Sequence, residues 1–258
     1  MHIKTRYYIL TAILSYLFFM MSSLPASKLV SLAEDNKLIS AKLYGVYGSL
    51  WRGGAEQINI PNQAPIIGLQ WSLNPASLLI AKLSSEVNGN IKQQKFIGNI
   101  SMNALGTVEA TDLRARISSP VMQELIQMPL GELGGVFNIN IESIILNDSP
   151  IPDITGTLKW NNAKLTIAET VDLGHINIAI KPNAAKQLTA TISNTKGQLS
   201  LDGSASVDDK KQYTLDLRIT PEQNAVNSIT QSLSMFSRRQ TDGSYLIKRK
   251  GNLREIGM

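Results

Sequence analysis

A chain of 258 residues with no cysteine can form no disulfide and offers neither a thiol nucleophile nor a thiolate metal site. Its 25 basic and 20 acidic residues leave a modest net charge of +5, scattered apart from small clusters at Arg238–Arg239 and Lys248–Lys250; nucleic acid would be an odd partner for the exported domain expected below. The excess reads as solvated strand faces, with contact to anionic lipid head groups as the alternative.

The first element is Tyr7–Leu24 (YYILTAILSYLFFMMSSL), an uncharged run preceded by Lys4 and Arg6. As a helix it would be about 27 Å long, close to the hydrocarbon thickness of a bilayer. Cleavage after Ala26 would place Leu24 and Pro25 at positions −3 and −2, a poor signal-peptidase site. An uncleaved single-pass anchor is therefore expected at residues 7–24, and a cleaved signal is the alternative. The flanking cations keep residues 1–6 in the cytoplasm as a short tail and send the remainder across the membrane. The remaining residues suffice for a core without covalent staples.

Residues 25–43 form a juxtamembrane segment in which Leu29, Val30, Leu32 and Ala33 make one or two amphipathic turns, with a plain spacer as the other reading. Residues 44–71 read as hairpins punctuated by Gly45, Gly48, Gly53 and Gly54. Asn74-Pro75 predicts a helix start with Asn as cap, and a short helix over Ala76–Leu83. Phe96, Gly98, Ile100, Met102 and Ala104 share one parity, and so do Leu113, Ala115 and Ile117. Ser119-Pro120 opens a second short helix over Val121–Met128.

The second half alternates more cleanly. Phe137, Ile139 and Ile141 lie on one parity, followed by Ile176, Ile178 and Ile180, then Leu188, Ala190 and Ile192, then Tyr213, Leu215, Leu217 and Ile219. Period two with one apolar face marks antiparallel strands covered on one side. Turns are expected at Asn161-Asn162, Asp202-Gly203, Asp208-Asp209 and Asp242-Gly243. Thr220-Pro221-Glu222-Gln223 has the form of a capping box. It predicts a helix to Phe236 whose Val226, Ile229, Leu233 and Phe236 share one face. A last strand falls near Ser244–Lys250.

Catalytic and metal chemistry find no foothold. The histidines are His2 and His175, and His175 between Gly174 and Ile176 reads as a strand residue. No His, Asp and Glu cluster has ligand spacing, and there is no nucleophile elbow or phosphate loop. No catalytic, cofactor or metal residues are expected. The aromatic residues are more informative: Trp51, Trp71 and Trp160 each sit in a strand-like context beside a turn. They are either core packing or an exposed surface for a partner or lipid.

Around these tryptophans the sequence resembles a known family. Gly45-Val46-Tyr47-Gly48-Ser49-Leu50-Trp51-Arg52-Gly53-Gly54-Ala55, followed by Leu69-Gln70-Trp71-Ser72-Leu73-Asn74-Pro75, is similar to type II secretion system protein N, also called general secretion pathway protein N. Downstream the resemblance continues through Gly156-Thr157-Leu158-Lys159-Trp160-Asn161-Asn162-Ala163, Leu173-Gly174 and Gly197-Gln198-Leu199-Ser200-Leu201-Asp202-Gly203. It ends with Asp242-Gly243-Ser244-Tyr245 and Gly251-Asn252-Leu253. The resemblance implies a bitopic inner-membrane protein, an accessory, non-enzymatic part of the secretion machinery. Its implied partners are the inner-membrane platform and secretin-linked periplasmic proteins. It carries over no catalytic residues.

The expected protein is mainly β. An N-terminal transmembrane helix precedes a periplasmic domain at residues 44–258, an elongated or two-layer antiparallel sheet with two or three short helices. Residues 44–118 and 130–258 are its candidate lobes, joined by the helix at 119–129. The competing function is a membrane-anchored binding module whose apolar sheet face forms a groove for lipid or another apolar ligand.

Overall fold

The structure is a computed structural model and describes residues 8, 9, 12, 13, 15, 16, 25–36, 39–61, 63–126, 128, 131–146, 149–167, 169–185, 187–223, 233, 234 and 237–253. The chain forms two compact units, residues 1–95 and 96–258. Of the expected anchor, Tyr8, Ile9, Ala12, Ile13, Ser15 and Tyr16 are helical, and the rest of 7–24 lies outside the described residues. No helix among the described residues is long and apolar enough to cross a membrane.

In the first unit, α1 (Ala26–Asp35) is the expected amphipathic segment. It begins where Pro25 bridges Ser49, and its Glu34 carboxylate accepts a hydrogen bond from the Leu43 amide at 3.0 Å. Five antiparallel strands follow: β1 (Lys42–Tyr44), β2 (Tyr47–Gly48), β3 (Arg52–Asn59), β4 (Ile66–Leu73) and β5 (Lys82–Ile91). They pair in the order β1-β3-β4-β5, with β2 also on β3. Ala55, Ile58, Leu73 and Val87 are the buried apolar residues of these strands.

A 3-10 turn, Pro75–Ile80, links β4 to β5. Asn74 caps it as expected, its side-chain oxygen accepting the Ala76 amide at 3.0 Å. The helix stops short of the expected Leu83. Ala81 takes a left-handed φ of 53°, and the chain enters β5 at once, where Ser84 donates its amide to the Ser77 hydroxyl at 3.2 Å.

The second unit is a meander. Its strands are β6 (Gln94–Asn103, which begins just before the boundary), β7 (Val108–Ser118), β8 (Glu132–Leu146), β9 (Asp153–Thr166), β10 (Thr170–Pro182), β11 (Leu188–Thr195), β12 (Leu199–Val207), β13 (Gln212–Pro221) and β14 (Tyr245–Asn252). From β6 to β14 each strand pairs with its neighbours in the chain. The registers align one apolar row across eight strands: Ala115, Ile139, Leu158, Ile178, Ile192, Gly203, Leu217 and Ile247. The next row is polar for seven strands: Arg116, Asn138, Lys159, Asn177, Ser193, Asp202 and Arg218. Slipping any strand by one residue would drive this polar row into the apolar one, so the pattern fixes the register.

Two covers close part of the apolar face. α2 (Ser119–Leu125) places Met122 against Ile117 and Phe137. Leu233, the one described residue of the four expected on the 221–236 helix face, packs against Ala163, Leu173, Ile176, Leu199, Ile219 and Tyr245. Val226, Ile229 and Phe236 lie outside the described residues.

Several local expectations are corrected. Asn161-Asn162 is not a turn but lies inside β9, where Asn162 (φ 50°) is the extra residue of a bulge. Asp202-Gly203 lies inside β12, with Asp202 in the polar row and Gly203 in the apolar one. A Cβ on Gly203 would come 2.6 Å from the Asp216 carbonyl oxygen, so glycine serves close strand approach here and not a turn. Thr220 and Pro221 do not cap a helix; they complete β13 opposite Ser200 and Leu199.

The shared parity of Phe96, Gly98, Ile100 and Met102 holds along β6, but its last members are not covered. The β6–β7 ladder shifts between Ile97 and Asn99, where Asp112 on β7 has φ 53°. Beyond this bulge Ser101 is the buried residue, while Ile100 and Met102 are 44% and 45% exposed. The extra residue lies on β7, so the faces reverse on β7 and not on β6: Ile100 opposite Ala110 stays on the face of Phe96 opposite Ala115. The turns at Asp208-Asp209 and Asp242-Gly243 stand as expected.

Candidate interaction surfaces

In the first unit, the β2–β3 hairpin and β4 assemble an aromatic site around adjacent glycines. Trp71 on β4 donates its indole N–H to the Ser49 and Leu50 carbonyl oxygens, at 3.3 and 3.2 Å. Its ring lies over Gly53, where a Cβ would come within 2.6 Å of Cζ2. On the neighbouring residue, the Tyr47 ring occupies the space a Gly54 side chain would need. Strand neighbours face opposite ways, so the glycine pair admits one aromatic ring on each side of β3. Trp51 is half-buried in the same hairpin, and its carbonyl oxygen accepts the Leu73 amide at 2.8 Å. Its indole nitrogen is buried without a hydrogen-bond partner among the described residues. Beside these rings opens a concavity of about 360 Å³, lined by Tyr47, Arg52, Gln70, Ser72, Glu86 and Asn88.

Trp51 and Trp71 are thus brought together, the indole of one hydrogen-bonded to the loop that carries the other. Trp160 belongs to the second unit. It stacks on Phe137 with centroids 4.8 Å apart and planes 17° from parallel. Its indole donates to the Gly134 carbonyl oxygen at 2.7 Å, and it packs against both apolar clusters of that unit. The β9 bulge explains this position. Gly135 and Gly174, both with positive φ, flank Asn162 on the two neighbouring strands. A Cβ at Gly135 would meet the Asn161 and Asn162 carbonyls, and one at Gly174 the Thr195 carbonyl.

The polar residues singled out in the sequence are engaged in structure. His175 accepts the Asn162 amide on Nδ1 at 3.4 Å, holding the bulge. Asp242 closes its turn by accepting the Ser244 hydroxyl at 2.6 Å and the Ser244 amide at 3.0 Å. These bonds, with the Arg218 guanidinium 3.4 Å away, hold its carboxyl below the usual carboxylate range. Among the described residues, no group of three or more His, Cys, Asp or Glu could hold a metal ion.

Two features escaped the sequence reading. The first is the apolar row itself: Ile139, Leu158, Ile178, Ile192, Leu217 and Ile247 are only half-buried. Alternation had named which residues share a face within a strand but not how far the face stays open. The second is the tip of the 3-10 turn, where Leu78, Leu79 and Ile80 are exposed. Its signal was the consecutive apolar run Leu78-Leu79-Ile80-Ala81, which breaks period two.

The family model for type II secretion system (T2SS), protein N matches residues 40–248. No curated protein and no solved structure matches the chain significantly.

Proposed function

The chain belongs to the type II secretion system protein N family, and we propose that it serves type II secretion as a non-enzymatic accessory component held at the inner membrane. In this reading residues 7–24 are the single-pass anchor, residues 1–6 are cytoplasmic and residues 44–258 are periplasmic. The domain binds other parts of the machine, among them the inner-membrane platform and secretin-linked periplasmic proteins. The family match over 40–248 carries the reading. The first unit adds support, since Tyr47 and Trp71 line an open concavity together with Arg52 and Glu86. Aromatic rings with adjacent charges suit protein–protein contact.

Deleting the protein is expected to lower export of folded proteins and to alter assembly of the secretion complex. Normal secretion with normal complexes would overturn the assembly role. Photoreactive residues at Trp51 and Trp71 are expected to yield adducts with secretion-system proteins.

A second reading is favoured by the half-buried apolar row. A sheet face with six aliphatic residues left half-buried suits an apolar ligand such as a lipid chain. Lipid retained by the protein after detergent removal would support it.

A further inference from the structure

We propose that the Leu78–Ile80 tip is a second membrane contact, seated in the head-group region of the bilayer that the N-terminal apolar segment enters. The inference rests on the inner-membrane reading above.

Three observations place the tip there. First, Leu78, Leu79 and Ile80 are consecutive and 42%, 89% and 74% exposed. Such a run in water is unfavourable without a cover. Second, the tip shares one end of the first unit with the point where the preceding chain arrives. Arg52 at the start of β3 pairs with Ser72 near the end of β4, and Leu73 pairs with Ser85 near the start of β5. The 3-10 turn therefore caps the same sheet end as the Ser49–Trp51 hairpin. Pro25 bridges Ser49 at that end. From Pro25 the chain runs the other way, since Glu34, near the end of α1, has reached Leu43 on β1. Residues before Pro25, the uncharged run Tyr7–Leu24, therefore join at the end carrying the tip.

Third, that end has the composition of an interface. Trp51 and Trp71 lie in it or directly beneath it, tied together through the Leu50 carbonyl. Tryptophan concentrates at head-group depth, where its ring is apolar and its N–H finds carbonyl partners. Lys28 in the first turn of α1 and Arg52 are both exposed there, against one exposed acid, Glu86. The opposite end exposes Asn59 and Gln63, and its exposed apolar residues, Tyr44 and Ile67, are single and not a consecutive run.

The anchor and the tip make a two-point attachment. One apolar helix leaves a domain free to swivel, whereas a second contact fixes which end of the sheet faces the membrane. The sheet then stands away from the bilayer along its strands, and β3 alone carries its far end about 26 Å outward.

The chain has no cysteine, so single thiols can be placed at will. Leu79→Cys, Gln63→Cys and Ala12→Cys, each in the full chain, would be labelled with an environment-sensitive fluorophore. The labelled proteins would then be reconstituted into lipid nanodiscs carrying shallow or deep spin-labelled acyl chains. The expected result is strong quenching of Leu79→Cys by the shallow quencher, of Ala12→Cys by the deep one, and of Gln63→Cys by neither. Quenching at Ala12→Cys with Leu79→Cys as bright as Gln63→Cys would overturn the tip contact and leave the anchor standing. Quenching at neither Ala12→Cys nor Leu79→Cys would overturn both. In native membranes, a Leu79→Cys label shielded from aqueous iodide yet untouched by lipid quenchers would assign the tip to a protein partner and overturn the bilayer contact.

Discussion

The two units put apolar side chains to different uses. In the second, one apolar row runs in register across eight strands, Ile or Leu on six of them, and bulges let an aromatic stack settle among them. In the first, the buried set is small, two tryptophans meet at one hairpin, and the run Leu78–Ile80 stands out at a turn. The same residue types thus specify a core in one place and a surface in the other. What separates them is spacing: period two draws residues onto a sheet face, while a consecutive run leaves the sheet.

Substitution should sharpen this contrast, beginning with the largest effects. Trp160→Ala removes the Phe137 stack and the bond to Gly134 and is expected to cost about 3–5 kcal/mol in urea unfolding. Trp71→Ala should cost about half as much, since Trp71 joins neither apolar cluster and has no aromatic stack. Equal losses would break the distinction between core and surface tryptophans. Gly174→Ala places a methyl group against backbone at φ 70° and should cost about 3 kcal/mol. Gly106→Ala is its control: at φ 83° but with nothing within 4 Å, it should cost only about 1–2 kcal/mol, for the left-handed backbone alone.

Smaller effects follow. Ser119 is buried and donates its hydroxyl to the Gly135 carbonyl at 2.6 Å. Ser119→Ala should cost about 1–2 kcal/mol, with Ser119→Thr informative on space as well as bonding. Asp242 makes a modest acid-range contribution. Its folded pKa is lowered, so its stabilisation is present above the unfolded value and fades as pH falls through the folded one. Asp242→Asn should flatten the low-pH limb of a stability–pH profile, most visibly at low salt. Smallest of all, Leu79→Ser should leave the urea midpoint unchanged within about 0.5 kcal/mol, as an exposed residue outside any core. A large loss there would assign the tip to packing.

The legibility of the fold follows the same line. Phe137, Ile139 and Ile141 announced β8, and Tyr213 to Ile219 announced β13, because a face buried on one side forces alternation. The Asn74-Pro75 start was legible because a cap is chemistry within a few residues. Asn161-Asn162 and Asp202-Gly203 misled for the complementary reason. Asparagine accepts a left-handed φ in a bulge as readily as in a turn, and glycine answers a crowded strand as readily as a tight corner. Only the neighbouring strands decide between these, and neighbours are invisible in a local window. The Asp112 bulge had no local signature at all. At the surfaces, the sequence named Trp51, Trp71 and Trp160 together, while their separate surroundings depend on pairings between β2, β3 and β4 and between β8 and β9.

The meander has a kinetic consequence. From β6 to β14 every strand finds its partners immediately before and after it in the chain. Ordering can therefore advance by short loop closures, each new strand templated by the one just laid down. A polypeptide emerging from its N-terminus can add strands in the order they appear, without waiting for a distant segment to close the sheet.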